Sequence, residues 1–501
     1  MQNQLTQLKN ILYEVADLNA ASAILSWDQT VYMPPAGAAG RGRALSTLSR
    51  LSHEKFTAPE VGRLLDELEP WAAQQPEDSD EAALVRVTRR NYDKLTKVPA
   101  TLIAEFNAHS SEAWGAWAKA RPASDFAAVR PYLEKTLDFS RQLANCFPGY
   151  AHIADPLIDN SDYGMKAASL RALFAQLREQ LVPLVRAITA QEPADDACLN
   201  QPYPEAQQKA FGEMVIRQIG YDFTRGRQDK TLHPYMTRFN TGDVRITTRF
   251  KENDFSDGFF STLHECGHAL YELGINPAYD GTPLGGGASA GVHESQSRLW
   301  ENLVGRSRGF WEHFYPQLQA AFPAQLGKVE LETFYRAINK VQRSLIRTDA
   351  DEVTYNLHVI LRFDFELALL DGQLAVKDLP EAWHARYEAD LGVRAPNDTD
   401  GCLQDMHWFI GTIGGMFQGY TLGNIMSAQL YNAALKAQPD IPAQVARGEF
   451  GPLHTWLKEN VYWPGSKYTA AELLERVTGQ AMTIEPYITY LRQKYGTLYQ
   501  L

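Results

Sequence analysis

The sequence predicts a mainly α protein with one small antiparallel β-sheet. Apolar residues recur at helical spacing along nearly the whole chain. Only one stretch, Val244, Ile246, Thr248 and Phe250, alternates with polar residues in the manner of a strand. No repeat of fixed period is visible, which argues against a solenoid.

The elements follow in order. Leu8, Ile11, Leu12, Val15 and Leu18 form one apolar stripe of a helix that extends to about Trp27, before Met33-Pro34-Pro35 stops it. Leu45 to Leu51 and Val61 to Trp71 read as further helices, the second ended by Pro70. Gln74 to Glu81 is an acidic connection. Long amphipathic patterns then cover Ala82 to Lys97, Ala100 to Ala120, Phe126 to Ala144, Ala168 to Ala190 and Pro204 to Ile219. Pro234 to Phe239 is the expected partner of the alternating strand, across the turn Asn240-Thr241-Gly242. Helices are expected again at Ser256 to Leu273, Ala288 to Val304, Val329 to Leu345, Glu352 to Leu370 and Leu379 to Leu391. The last group is Phe409 to Ala437, Ile441 to Glu449, Thr469 to Thr478 and Ile484 to Tyr495. No segment separates from the rest, so residues 1–501 are expected to form a single domain.

Composition narrows the function. The chain has 501 residues, 45% hydrophobic and 22% charged, enough for a large core without disulfides. Its four cysteines are scattered, which suits a reducing compartment. A formal net charge of −12 and the lack of a basic cluster argue against nucleic acid as partner. The first twenty residues lack the basic and apolar regions of a signal peptide, and no apolar run reaches membrane-spanning length. A soluble, cytoplasmic protein without membrane contact is the expectation.

One short run points to chemistry. His264-Glu265-Cys266-Gly267-His268 is an H-E-x-x-H pattern inside a predicted helix. Residues four apart share a helix face, so the two imidazoles can bind one Zn²⁺ while Glu265 serves as general base. Ser256 or Asp257 is the expected N-cap, and Gly274 stands where a C′ residue belongs. Cys266 points off the histidine face and reads as packing. The histidines could instead fill polar gaps in a buried helix.

Zinc needs a third protein ligand. Glu294 follows His268 by 26 positions, on the next predicted helix, beyond the Gly-rich stretch Asn276 to Gly287. The alternative is a surface Glu294 paired with Arg298 at i,i+4. Gly285-Gly286-Gly287 lacks the Lys-Ser/Thr of a phosphate loop. A peptide-hydrolysing site also needs an oxyanion donor and a strand edge, and an exopeptidase needs a cation for the terminal carboxylate. The expected hairpin supplies the edge, His407 and Tyr420 are candidate donors, and Arg347 is a candidate clamp. Against these stand a salt bridge from Arg347 to Asp349 or Asp351, a core His407 beside Trp408, and a core Tyr420.

Together these segments resemble the carboxypeptidase Taq family of metallocarboxypeptidases. The shared motifs are His233-Pro234-Tyr235, Asp243-Val244-Arg245-Ile246-Thr247, His264 to His268, His293-Glu294-Ser295-Gln296, Ile346-Arg347-Thr348-Asp349-Ala350-Asp351 and Gly401 to Trp408, with Trp27 to Pro34 also similar. The third residue of the first motif is usually Phe in the family and is Tyr235 here. The resemblance implies that His264, His268 and Glu294 bind a divalent metal, usually zinc, with cobalt able to substitute, and that Glu265 is the catalytic base. It implies release of C-terminal amino acids with broad specificity, poor at Pro. It implies carboxylate recognition by Arg347, a substrate-binding role for His233 and Arg245, and His407 and Tyr420 near the reacting carbonyl. It further implies a long two-lobed helical fold with a deep substrate channel, similar to neurolysin-type and angiotensin-converting enzymes, and a cytoplasmic homodimer. A zinc oligopeptidase that cleaves internally would use the same ligands. A non-catalytic helical scaffold is the third reading, and an intact Glu265 argues against it.

Overall fold

A computed structural model describes residues 1–501, and helices dominate it. The first helix, Gln2–Val31, runs one turn past the expected Trp27. Helices Ala38–Phe56, Pro59–Ala72 and Asp80–Lys97 follow. Pro70 does not end its helix; it sits in the final turn, where the helix has only two residues left to lose. The acidic connection is real but short, because Ser79 caps the next helix by accepting from the Ala82 amide at 3.2 Å.

The sheet corrects the sequence reading. It has three strands in the order β1-β3-β2, formed by Gln228–Lys230, Tyr235–Asn240 and Asp243–Thr248. β2 and β3 make the expected antiparallel hairpin, pairing Tyr235 with Thr247 and Arg238 with Val244. β1, which the sequence did not reveal, pairs parallel to β3, so the sheet is mixed rather than antiparallel. Three residues are too few for a visible alternation. β3 lies in the middle, and β2 keeps one edge free.

Three other expectations are revised. The helix expected over 329–345 spans only Leu331–Ile338. Beyond it, the Val341 amide donates to the Tyr499 hydroxyl and the Gln342 amide to Asp351, so tertiary partners replace the helical ladder. The helix expected over 409–437 is a short turn, His407–Ile410, and a later helix, Gln418–Ala437. Gly414 and Gly415 between them adopt φ values of 113° and 78°, which L-residues rarely adopt. Arg308–Ala321, rich in aromatic residues, is a helix that the sequence reading passed over.

Two hydrophobic cores result. One joins 97 buried residues from Ala113 onward, including Phe255, Phe259 and Trp311 of an aromatic cluster. The other has 18, from the first helices, with Ile275, Tyr279 and Leu284 inserted from the segment after the histidine-bearing helix. The strand β3 of the larger core meets the first helix through Arg245, whose guanidinium lies over Trp27.

Candidate metal centre

Helix Phe255–Gly274 carries the H-E-x-x-H run. Its N-cap is Asp254, two or three residues earlier than the sequence suggested; the carboxylate accepts from the Ser256 amide at 2.8 Å. Asp257 instead pairs with Arg249 at 2.7 Å. Gly274 is the last helical residue rather than the one beyond it. The helix is apolar nearly all round, which buries it and stiffens the histidines. Cys266 is fully buried, as packing.

Glu294 lies on helix Ala290–Arg298, which continues as a wider π-type turn, Leu299–Val304. The two helices touch backbone to backbone. A Cβ on Gly267 would fall 2.6 Å from the Gln296 carbonyl and from Ser297 Cα, so only glycine allows this approach. Helix Gln418–Ala437 packs on the other side through Gly423.

This packing brings three donors together. Glu294 Oε2 lies 3.7 Å from His264 Nε2 and 3.6 Å from His268 Nε2. One atom of each residue lies within 4.8 Å of the others. The pairing of Glu294 with Arg298 is present too, at 2.7 Å, but through the other oxygen, Oε1, and in a buried setting. One carboxylate thus faces the histidines while an arginine fixes its orientation.

The hydrogen bonds behind the histidines decide whether they fit a metal. His264 Nδ1 lies 2.9 Å from Glu301 Oε2 and donates to it, leaving Nε2 with a free lone pair. Burial alone would raise the Glu301 carboxyl, but Arg298 and the His264 contact hold it down to about 2. His268 Nδ1 lies 2.9 Å from His293 Nδ1, and His293 Nε2 lies 2.7 Å from Glu272 Oε1. A buried carboxylate can only accept, so His293 donates from Nε2, accepts at Nδ1, and fixes the proton of His268 on Nδ1. Burial, reinforced by His264, keeps the His268 imidazole well below its ordinary range, hence neutral. Two imidazole Nε2 atoms and a carboxylate oxygen fit a divalent metal, with room for a further ligand. The Gly-rich stretch serves this relay. The Gly287 amide donates to Glu272 at 3.0 Å, and a Cβ there would strike the His293 ring at 2.5 Å.

Glu265 is buried beside Met236 of β2. Burial pushes its carboxyl up to about 7. Beside the donors stands a second group. Arg347 does not pair with Asp349 or Asp351; it binds Asp405 at 2.8 Å and the Tyr355 hydroxyl at 3.1 Å. Arg362 binds the same carboxylate, so two cations share one anion and a positive charge is left over. Tyr420 lies under Arg347, with its ring centre 5.3 Å from the guanidinium carbon and its hydroxyl 3.5 Å from His407 Nε2. Burial raises the Tyr420 phenol to about 12, so it keeps its proton. Tyr420 precedes Gly423, the glycine against Glu294, by one turn of the same helix.

His233, exposed at its surface, is placed near this group: loss of part of its solvation and the cations Arg249 and Arg347 lower its imidazole. Arg245 has other partners. Its guanidinium binds Asp243 at 2.7 Å and stacks on Trp27 and Phe239. Sequence reasoning missed Glu301, His293, Glu272, Asp405 and Arg362. Two of these carried a signal, since His293 adjoins Glu294 and Glu301 lies two turns beyond it on the same face.

The family model described as carboxypeptidase Taq (M32) metallopeptidase matches residues 7–495. The chain belongs to this family. Its relatives include thermostable carboxypeptidase 1 of Thermus thermophilus, 42% identical over 496 residues and 97% of each chain. Carboxypeptidase 1 of Bacillus subtilis is 36% identical, covering 98% of each. Among solved structures, the M32 carboxypeptidase of Deinococcus radiodurans R1 superimposes with a TM-score of 0.97 at 52% identity, covering all of both chains. The carboxypeptidase of Pyrococcus furiosus gives 0.95 at 35%, covering 98% of this chain and 99% of that one. The protein is thus an M32 metallocarboxypeptidase, a hydrolase of peptide bonds, with His264, His268 and Glu294 as its metal-binding group. No helix is long and apolar enough to cross a membrane.

Proposed function

We propose that this M32 carboxypeptidase releases amino acids one at a time from the free C-terminal end of peptides, with broad specificity and poorly at Pro. The observation that carries the reading is the positively charged Arg347–Asp405–Arg362 group beside Tyr420, one helical turn from the glycine that packs on Glu294. A cation so placed suits a terminal carboxylate, which Arg347 can receive on the guanidinium edge not taken by Asp405.

The donor set, two imidazoles and a carboxylate, suits zinc, with cobalt as a substitute. When bound there, zinc lowers the pKa of a water toward about 7 and polarises the scissile carbonyl. Glu265 takes the proton of the attacking water and passes it to the leaving amine; a carboxyl held near 7 suits both directions of transfer. Tyr420 and His407 donate to the developing oxyanion, Tyr420 because its phenol stays protonated. The free edge of β2, which runs beside Glu265, can pair with the substrate backbone. His233 would contact the substrate near Arg347. Arg245 would act at one remove, by tying the first helix to β3 beside the substrate strand.

We also read residues 1–501 as one peptidase domain of two helical lobes flanking a deep channel, and as half of a homodimer. Four unpaired cysteines suit work in the cytoplasm. A paired assay tests the central reading: one peptide with a free C-terminal carboxylate and the same peptide amidated. The expected result is stepwise release from the free acid alone. Equal hydrolysis of the amidated peptide would instead favour an internally cleaving oligopeptidase.

A further inference from the structure

Away from the metal centre, a cavity of about 770 Å³ opens between helix Asp80–Lys97 and the segment around Tyr163. Arg86, Arg90 and Lys94 line it from one helix face, spaced i, i+4, i+8. None of the three is in ion-pair contact with a carboxylate. Arg86 donates to the carbonyls of Glu77 and Lys467, and Lys94 to the carbonyl of Asp159. Arg90 has only the face of Tyr163, 4.5 Å away, and Lys94 lies over the same ring at 5.4 Å.

The acidic residues nearby are engaged elsewhere or turned to solvent. Glu69 binds Arg89 at 2.8 Å. Asp93 is shared by Arg89 and Lys97, and Asp159 accepts from the Gly164 amide at 2.8 Å. Glu77 is exposed. Burial, with Arg90 adding to it, pushes Lys94 down to about 8, and burial also lowers Arg90. Half-buried cations crowded together with no carboxylate in ion-pair contact are costly, and a bound anion reduces that cost.

We propose that this cleft binds a small ligand carrying a doubly charged oxyanion, a phosphate or a polycarboxylate, on Arg90, Lys94 and Arg86. Arginine offers two parallel donors to such a group, and lysine adds a point charge. Tyr163, Phe147 and Val85 supply apolar wall for the body of the ligand, and the volume is that of an ordinary small-molecule site. The position gives it leverage. Asp162, next to Tyr163, accepts from the Gly291 amide at 2.8 Å, at the start of the helix that carries Glu294. A ligand here braces the N-terminal helices against the wall that sets that helix.

Isothermal titration of the full-length, metal-loaded enzyme tests this, with inorganic phosphate and citrate as separate probes at constant ionic strength and chloride as control. Binding of at least one probe with a Kd of about 1 mM or tighter is expected. The double variant Arg90→Leu/Lys94→Met should weaken it by about tenfold or more. The same variant should hydrolyse peptides as before in the absence of the probe. Arg90→Lys, which keeps the charge, should fall between the two and covers the case of a double variant that misfolds. The two arms tell phosphate from carboxylate. No heat from either probe, or equal affinity in wild type and Arg90→Lys with no loss in the double variant, overturns the proposal.

Discussion

Gly423 stands directly against Glu294: a Cβ on the glycine would fall 2.5 Å from both Cβ and Cγ of the glutamate. The third metal donor is therefore positioned by the absence of a side chain on another helix. Gly423→Ala should push Glu294 off the histidines, weaken metal binding by about tenfold or more, and cost ~1–3 kcal/mol of stability through overpacking. Chelator competition and thermal melting measure the two effects. Unchanged metal affinity would mean that the helices adjust and that the contact does not set the ligand.

Glu265→Gln should keep its metal, because residue 265 is not among the donors, and should lose activity by about 10²-fold or more. Metal content and turnover are measured on the same sample. Undiminished turnover would remove Glu265 from proton transfer.

The His268–His293–Glu272 chain predicts a separate effect. His293→Leu removes the acceptor that holds the His268 proton on Nδ1, and metal affinity should drop by about 10–100-fold. His293→Asn places an oxygen near the lost nitrogen and should restore part of it. If the Leu and Asn variants bind metal alike, the ring nitrogen of His293 does not set the tautomer.

Arg347→Ala should mainly raise KM for peptides with a free terminal carboxylate, while kcat falls less. The variant also leaves Asp405 with Arg362 alone, so its melting temperature should be recorded beside the kinetics. An unchanged KM would take Arg347 out of the clamp.

Glu366 gives a pH test outside the metal site. Burial raises its carboxyl to about 8, although one of its oxygens accepts from the Trp408 indole at 3.0 Å. The folded state therefore holds a proton that the unfolded chain gives up near its ordinary value of 4.5. The stabilising contribution is complete below that value and is lost as pH rises through about 8. Glu366→Gln should melt with a flatter dependence on pH between these limits. Identical profiles for variant and wild type would show that Glu366 does not hold the extra proton.

Local pattern explains what the sequence disclosed. His264, Glu265 and His268 were legible because helical spacing alone puts the histidines on one face, and Glu294 because it opens the next apolar pattern. Arg347 was legible as a candidate but not its partner, since Asp405 is 58 residues away and nothing local links them. Glu272 was equally hidden: its bond to His293 exists only because Gly287 leaves room for the imidazole. The break at Gly411 to Phe417 was missed because apolar spacing continues through it, while the Ile413 amide donates to Ser140 and Gly414 and Gly415 turn to positive φ. β1 was missed because a parallel strand of three residues has no pattern of its own.

The segment from Ile275 to Leu284 has a mechanical consequence. It leaves the helix of His264 and His268, plants Ile275, Tyr279 and Leu284 in the smaller N-terminal core, and returns to Gly287 just before His293 and Glu294. The donors on either side are thus strung across an anchor seated in a different core. Ion binding and the cohesion of helices 2–97 become thermodynamically linked. A cavity cut at Leu64 or Leu68, far from any donor, would register as a weaker grip on the ion, and saturating the ion would toughen the N-terminal bundle against proteolysis.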